Sequence, residues 1–423
     1  MAMEEERAPE KGRRGGEHGN GREDFIGALP DDVLLYLLSF LPSRNAVRTC
    51  VLARRWRTLW RSVPALRIKD DRQGYRDKED PSESDDDTVH EPDYDGRFID
   101  QLLRRRDPTP LNVCDIFSSY ANFIMCDDSE AEAFQRIEPW IRYALSHEVQ
   151  VLRVDASSLT ANLALVSSHL KKVELRFVRF EGSLDFSSCP VVDVLEMSSC
   201  NISGNILSGS LRHIDIEDGC FGWYVRSRIS APNLIRLILD QDGGFPPLLD
   251  SMPSLVTASV AEPIEYEKNG EECFSVVLER LSTATHLELI TPYYQNSVFR
   301  MDLKWCPMFS KLKTLLLTDW CLADNFIGLV YFLRHSPILE TLMLQLDMKK
   351  YEIYKMFRDE RNKSREQGYN SREHGCNSRD QSVLSKHLKV VKIICGKKQD
   401  VEVQRILKIL CNHGVPSEKI AVQ

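Results

Sequence analysis

The chain has 423 residues, 42% of them hydrophobic, and a net charge of −8 at neutral pH. That length supports two or more domains or one long solenoid, and the apolar content is enough for a real core. The charge is local: Asp70 to Asp95 holds twelve acids and three bases, a net of −9. The remainder is close to neutral, which argues against bulk nucleic-acid or anionic-membrane binding as the main task.

Met1 to Arg22 is charged and glycine-rich with no apolar periodicity, so disorder is expected over 1–22. The stretch from Asp24 to Arg67 is different. Pro30 followed by Asp31 and Asp32 suits a helix start, because proline fits the first turn and carboxylates favour the positive end of the helix dipole. Val33, Leu34, Leu37, Leu38 and Leu41 recur at three- and four-residue spacing and predict one apolar stripe. Pro42 ends that helix. Ser43 caps a second, with Ala46, Val47 and Cys50 on its inner face. A third carries Trp56 and Trp60 one turn apart. Three short helices cannot bury this much apolar surface alone, so part of it must meet another domain or another protein. Arg44, Arg48, Arg54, Arg55, Arg57 and Arg61 also cluster here, with no acid between Val33 and Lys69. A solvated helix face or contact with an acidic partner is the expected role.

The run Leu29-Pro30-Asp31-Asp32-Val33-Leu34, then Leu41-Pro42, then Val51-Leu52-Ala53-Arg54-Arg55-Trp56, then Leu59-Trp60 resembles the F-box of plant F-box proteins, with Ala53 where the family often has Ser. The resemblance implies an F-box-like domain over 23–67 that binds the small Skp-type adaptor of a cullin–RING ubiquitin ligase. It implies adaptor-binding roles for Leu29, Pro30, Val33, Leu34, Leu37, Leu41, Pro42, Val51, Trp56 and Trp60. Val47 and Trp56 are expected to pack inward in part.

Residues 68–96 read as an acidic linker, disordered by self-repulsion and a lack of apolar residues. Ser82 and Ser84 each have an acid three residues downstream, a pattern suited to an acid-directed kinase. Phe98, Ile99, Leu102 and Leu103 predict a short amphipathic helix, Leu111 to Phe117 a strand, and Phe134 to Ser146 a helix that starts or kinks at Pro139.

From Val149 onward an LxxLxL pattern repeats, at Val149, Leu170, Val192, Leu211, Leu234, Leu255, Ala284, Leu312, Leu339 and Leu388, with Leu111 as an earlier irregular unit. Apart from a final gap of 49 residues, the spacing lies at or near the 20–29 residues of leucine-rich repeats. Each unit predicts one strand of a parallel sheet, since one repeat cannot bury its own leucines but stacked repeats can. Pro190, Pro232, Pro253, Pro307 and Pro337 precede strands and force an extended entry. The segments CPVVDVLEMSSC and ISAPNLIRLIL resemble plant proteins that join an F-box to leucine-rich repeats. The expected architecture is therefore α/β: a three-helix F-box-like domain, then a leucine-rich-repeat solenoid with a parallel sheet over 97–346. Residues 347–385 read as a charged, disordered insertion. The tail 386–423, with a strand at Val390 to Cys395 and a helix at Val401 to Cys411, resembles the FBD-type region of the same family, from which Asn412 to Pro416 departs.

No HExxH, GxSxG or GxxxxGK[ST] motif is present. The twelve cysteines form no CxxC pair and read as reduced thiols of a nuclear or cytoplasmic protein. No apolar run approaches the roughly 18 residues of a membrane span. No catalytic, metal or cofactor site is expected. The implied role is that of a non-catalytic receptor that holds a protein substrate close to a ubiquitin-loaded partner. A non-ligase scaffold and a small-molecule-sensing F-box receptor are the alternatives.

In LxxLxL the residue between the last two apolar positions points away from the core, to the concave side of the expected solenoid. Those residues are Arg153, Glu174, Glu196, Asp215, Ile238, Ser259, Glu288, Leu316, Met343 and Lys392. The acidic first half, with Glu174, Glu196 and Asp215, and the apolar Ile238, Leu316 and Met343 beyond predict a surface for a segment basic at one end and greasy at the other. Glu288 belongs to the same row.

Overall fold

The computed structural model describes residues 26, 28–70, 95–118, 127–161, 165–180, 182–262, 277–291, 299, 302–303, 307–346, 387–395 and 401–423. The leader, most of the acidic linker with Ser82 and Ser84, and the charged insertion lie outside them.

The chain starts with helices α1 (Asp31–Leu38), α2 (Ser43–Arg48) and α3 (Trp56–Leu59), joined by the 3-10 turn Thr49–Val51. Pro30 is extended, with φ −58° and ψ 154°, and its carbonyl accepts the amide of Leu34. Pro42, also extended (φ −51°, ψ 140°), begins α2 in the same way, since proline is set for a helix entry and has no amide to leave unsatisfied. Helices α4 (Asp95–Arg105) and α5 (Asp127–Ser146) follow. In α4 the predicted residues Ile99 and Leu102 are buried. Helix α5 begins well ahead of Phe134 and runs through Pro139 without ending there. A proline inside a helix forfeits one hydrogen bond, and neighbouring turns sustain the rest.

The strands, in chain order, are β1 (Ala65–Asp70), β2 (Val113–Ser118), β3 (Val151–Ala161), β4 (Lys172–Phe180), β5 (Leu184–Asp185), β6 (Val194–Ser198), β7 (Asn201–Ile202), β8 (Ile206–Leu207) and β9 (His213–Phe221). They continue with β10 (Arg228–Ser230), β11 (Arg236–Gly243), β12 (Leu248–Leu249), β13 (Thr257–Ala261), β14 (His286–Ile290), β15 (Thr314–Thr318), β16 (Thr341–Leu346), β17 (Val390–Cys395) and β18 (Ile420–Val422). The main sheet has the order β1-β2-β3-β4-β6-β9-β11-β13-β14-β15-β16-β17-β18, with β7 bridging β4 and β9. Every pairing in it is parallel. A second parallel sheet, β12-β10-β8-β5, is built from short pieces of the return segments.

The architecture follows from the repeat. In each unit the strand starts at the third residue of the LxxLxL run, for instance Lys172 in the unit from Leu170 and Thr341 in the unit from Leu339. The first, fourth and sixth positions face inward: Leu170, Val173 and Leu175 are buried, as are Leu339, Leu342 and Leu344. Stacking joins them into one apolar cluster that extends from Leu34 to Val415. Strand β18 adds an edge that the motif does not contain. After the helix Val401–Asn412, Gly414 takes the left-handed conformation (φ 84°) and turns the chain back, and Ile420 to Val422 pair with β17.

The helices and the sheet share this core. Arg67, in β1, fixes their relation: its amide donates to Ser43 Oγ (2.9 Å) and its Nε to the Ser39 carbonyl at the end of α1 (2.7 Å).

Candidate protein-interaction surfaces

Helix α1 is apolar on more than one side. Leu34 and Leu38 are buried in the common core. Val33, Tyr36, Leu37, Phe40 and Leu41 remain exposed, and Tyr36 packs edge-on against Phe40 (centroids 4.9 Å apart). What the spacing presents as one stripe is therefore two, about 100° apart because each helical residue advances by that angle. One faces the chain's own core and the other faces solvent. Val51 (82% exposed) and Leu52 are also exposed, and so is Ile26. The amphipathic rule predicts a single buried stripe for a surface helix, so the second one is surplus to folding.

This placement sorts the ten predicted adaptor residues. Pro30, Val33, Leu37, Leu41 and Val51 are exposed, and Leu29 and Pro42 are half-buried. Leu34, Trp56 and Trp60 are interior and present no surface of their own. They are the residues that bring the three helices together, and the Trp60 indole donates to the Arg57 carbonyl (3.0 Å). Tyr36, Phe40 and Leu52 are exposed too, beyond the ten residues that the resemblance implies. The four-residue spacing of Tyr36 and Phe40, the latter just past the end of α1, is the available signal for that pair. Of the basic cluster, Arg55 is bound to Asp31 (2.5 Å), Arg44 lies over the Phe98 ring (5.2 Å) and Arg61 over Trp60 (5.7 Å).

The second surface is the outer face of the sheet. Backbone register aligns Arg67, Asp115, Arg153, Glu174, Glu196, Asp215, Ile238, Ser259, Glu288, Leu316, Met343 and Lys392 in a single row, each opposite the next. This is the row of fifth positions, and it is partly exposed throughout.

Its first half is not a free acidic strip. Asp115 lies between Arg67 and Arg153, the latter at 3.2 Å. Arg153 also holds Glu174 (2.8 Å), while Lys172 reaches Glu174 (2.9 Å) and Glu196 (2.8 Å). Burial favours the neutral form of Glu174, but hydrogen bonds from Lys172 and Arg153 outweigh it and hold its carboxyl below the ordinary range. Asp215 is the reverse case. Burial and the charges of Glu217 and Glu196 push it up, against the pull of Arg236, and its Oδ1 is buried without a hydrogen-bond partner among the described residues. The predicted basic-peptide surface at Glu174 and Glu196 is thus already neutralised from within. In the second half, Ile238 stands apart from Leu316 and Met343, because Ser259 and Glu288 lie between them, joined at 2.9 Å.

The described cysteines form no disulfide, and Cys114, Cys189, Cys200 and Cys321 are buried. Burial raises the Cys200 thiol to about 11, so it packs as an apolar group. Among the described residues no cluster of three His, Cys, Asp or Glu is placed to hold a metal ion, and no helix is long and apolar enough to cross a membrane.

Residues 26–67 match the F-box domain family. Over most of its length the chain is similar to an FBD-associated F-box protein of Arabidopsis thaliana, with 25% identity covering 78% of this chain and 86% of that one. An F-box/FBD/LRR-repeat protein of the same plant is 24% identical over 79% and 75% of the two chains. A meiotic F-box protein of Oryza sativa subsp. japonica is 28% identical over 76% and 71%.

Proposed function

From the premise that this chain carries an F-box domain and has plant F-box/FBD/LRR-repeat proteins as its relatives, we propose that it is a substrate-recognition subunit of an SCF-type ubiquitin ligase. Residues 23–67 dock on the Skp-type adaptor, which links the chain to a cullin–RING ligase in the nucleus or cytoplasm. The acidic stretch 68–96 acts as a spacer. Residues 97–346 and the tail 386–423 form a leucine-rich-repeat solenoid that holds a protein target, with 347–385 as an insertion in it. The chain does no chemistry itself and works by proximity.

The observation that carries this reading is the surplus apolar stripe of α1. Val33, Leu37 and Leu41, with Tyr36 and Phe40 beside them, stay exposed although the helix has already buried Leu34 and Leu38. These residues keep only part of their surface in water, so covering each is worth a fraction of the about 1.5–3 kcal/mol of a full side-chain burial, and together they contribute toward the cost of association. Large aromatics and leucines at the centre of such a patch carry most of the energy. Arg67, which ties the end of α1 to β1, supports a fixed angle between the adaptor-bound helices and the sheet.

The test is co-purification of the full chain with a Skp-type adaptor, alongside a Leu37→Glu/Phe40→Glu variant. Wild type should bind and the folded variant should not. Equal binding by both, or no binding by the folded wild type, sinks the adaptor role. Binding of the adaptor without recruitment of the cullin would identify a non-ligase scaffold instead.

A further inference from the structure

The loop between β9 and β10 exposes three large apolar residues in succession. Tyr224 is 97% exposed, Val225 is 70% exposed, and nearly half of Trp223 faces solvent. The loop is nevertheless held at both ends. Gly222 donates to the Ile202 carbonyl (3.1 Å) and accepts from Phe245 (3.2 Å), Arg226 donates to the Pro246 carbonyl (2.9 Å), and Ser227 Oγ donates to the Ile202 carbonyl (2.9 Å). Aromatic side chains displayed on an anchored loop lose little entropy on binding, which favours a recognition role.

Four exposed carboxylates gather near this loop, while its own Arg226 is turned to the Pro246 carbonyl. Asp218 in β9 takes a left-handed conformation (φ 50°), which breaks the strand alternation and leaves both Glu217 and Asp218 exposed. On the adjacent strand β11, Asp240 and Asp242 are exposed too. None of these four carboxylates has a side-chain hydrogen bond or ion pair with a described residue, unlike Glu174 and Glu196, two strands and one strand from β9 on the same sheet. They sense one another: after burial, the charges of Asp218, Glu217 and Asp242 raise Asp240. Trp223 belongs to the same locality. Its indole lies over Gly243, where an added Cβ would meet Cζ2 at 2.9 Å, and both Trp223 and Asp242 act on the Cys220 thiol.

We propose that Trp223 and Tyr224, together with Glu217, Asp218, Asp240 and Asp242, dock a lysine- or arginine-bearing segment of the recruited protein. The inference rests on the reading of the chain as a substrate receptor, and it moves the cation-binding locus from Glu174 and Glu196 to the ends of β9 and β11. Two features select the same occupant. Carboxylates without internal counterions attract a cationic segment, and exposed Trp and Tyr rings add cation–π and stacking contacts that suit arginine above all. A neutral apolar segment would satisfy the aromatics but leave four carboxylates to be desolvated unpaired.

The experiment presents the full chain to arrayed short synthetic peptides of graded lysine and arginine content, each matched by a peptide in which glutamate replaces the basic residues. Retention should rise with basic content and fall with salt. A Trp223→Ala/Tyr224→Ala variant should bind about tenfold more weakly, and so should Asp240→Asn/Asp242→Asn, while Glu418→Gln, at an exposed remote site, should match wild type. Each variant should still melt in a single cooperative transition, which shows that lost retention is not lost fold. Retention that ignores peptide charge, or that both double variants preserve, overturns the proposal. Adaptor co-purification run in parallel separates the two readings. Variant-insensitive peptide binding with intact adaptor binding removes the basic-segment site alone. Variant-sensitive peptide binding without adaptor binding keeps the site and removes the receptor role.

Discussion

The helical start of the chain and the sheet that follows handle surplus side chains in opposite ways. In the sheet, each LxxLxL unit buries its apolar positions and keeps its outer face partly polar, with counterions supplied by neighbouring strands. In α1, the inner stripe is buried and an equally apolar outer stripe is left in water. The sheet matches most of its own surplus, whereas the helices leave apolar surface uncovered by the described residues. Where the sheet does leave something unmatched, at the ends of β9 and β11, the surplus is charge and aromatic surface instead of aliphatic surface. The same molecule thus leaves two kinds of surface exposed, aliphatic at the helices and acidic-aromatic at the sheet.

The largest effect expected from breaking this contrast is on the inner side. Trp56→Ala opens a cavity in the shared core and should cost about 3–5 kcal/mol in denaturant unfolding. Phe40→Glu, sixteen positions earlier and exposed, should leave stability within about 0.5 kcal/mol. If the Phe40 variant were destabilised as much as the Trp56 variant, the outer stripe would belong to the core and the adaptor surface would have to be sought elsewhere.

A middle-sized effect distinguishes the ion network from ordinary surface pairs. Arg153→Ala deprives Asp115 and Glu174 of a shared partner at partly buried positions and should cost about 1 kcal/mol. Lys389→Ala breaks an exposed pair with Glu340 and should leave stability nearly unchanged. Equal costs in urea titrations would mean that the network adds nothing to its pairs.

These contrasts also explain what could be read from the residues alone. The strands were legible, because burial at positions one, four and six leaves a pattern that stacking alone can satisfy, and Leu170, Leu211 and Leu339 mark it clearly. The two stripes of α1 were not separable: Val33 and Leu34 are both apolar at helical spacing, and periodicity does not say which side meets the chain and which a partner. The pairing of the outer row was half legible. Lys172, two residues before Glu174, shares its face by strand alternation and could have been assigned. Arg67 could not, because it lies 48 residues from Asp115 and meets it only once β1 and β2 are paired. The edge strand Ile420–Val422 escaped notice because three residues carry no periodicity. Among the unpaired acids, Asp240 and Asp242 follow strand alternation, whereas Glu217 and Asp218 are exposed together through a left-handed Asp218 that no spacing rule announces.

The smallest effect is the most specific, because two carboxylates two strands apart in one row should show opposite pH signatures. Glu174 titrates below its ordinary range, so its ionised form stabilises the fold. That contribution is fully present above the unfolded pKa and is lost as the pH falls through the folded one. Glu174→Gln should therefore destabilise at neutral pH and converge on wild type in acid. Asp215 titrates above its ordinary range, because burial and the charges of Glu217 and Glu196 oppose its ionisation. Its cost is present above the folded pKa and is relieved as the pH falls toward the unfolded value. Asp215→Asn should stabilise at neutral pH, by about half a kcal/mol given the partial exposure, and should also converge on wild type in acid, from the other side. Stability curves for the two variants across the acid range read the sign directly. A destabilised Asp215→Asn at neutral pH would show that this carboxylate is held by an attractive partner, and the division of the row into a matched half and an unmatched patch would then begin beyond β9.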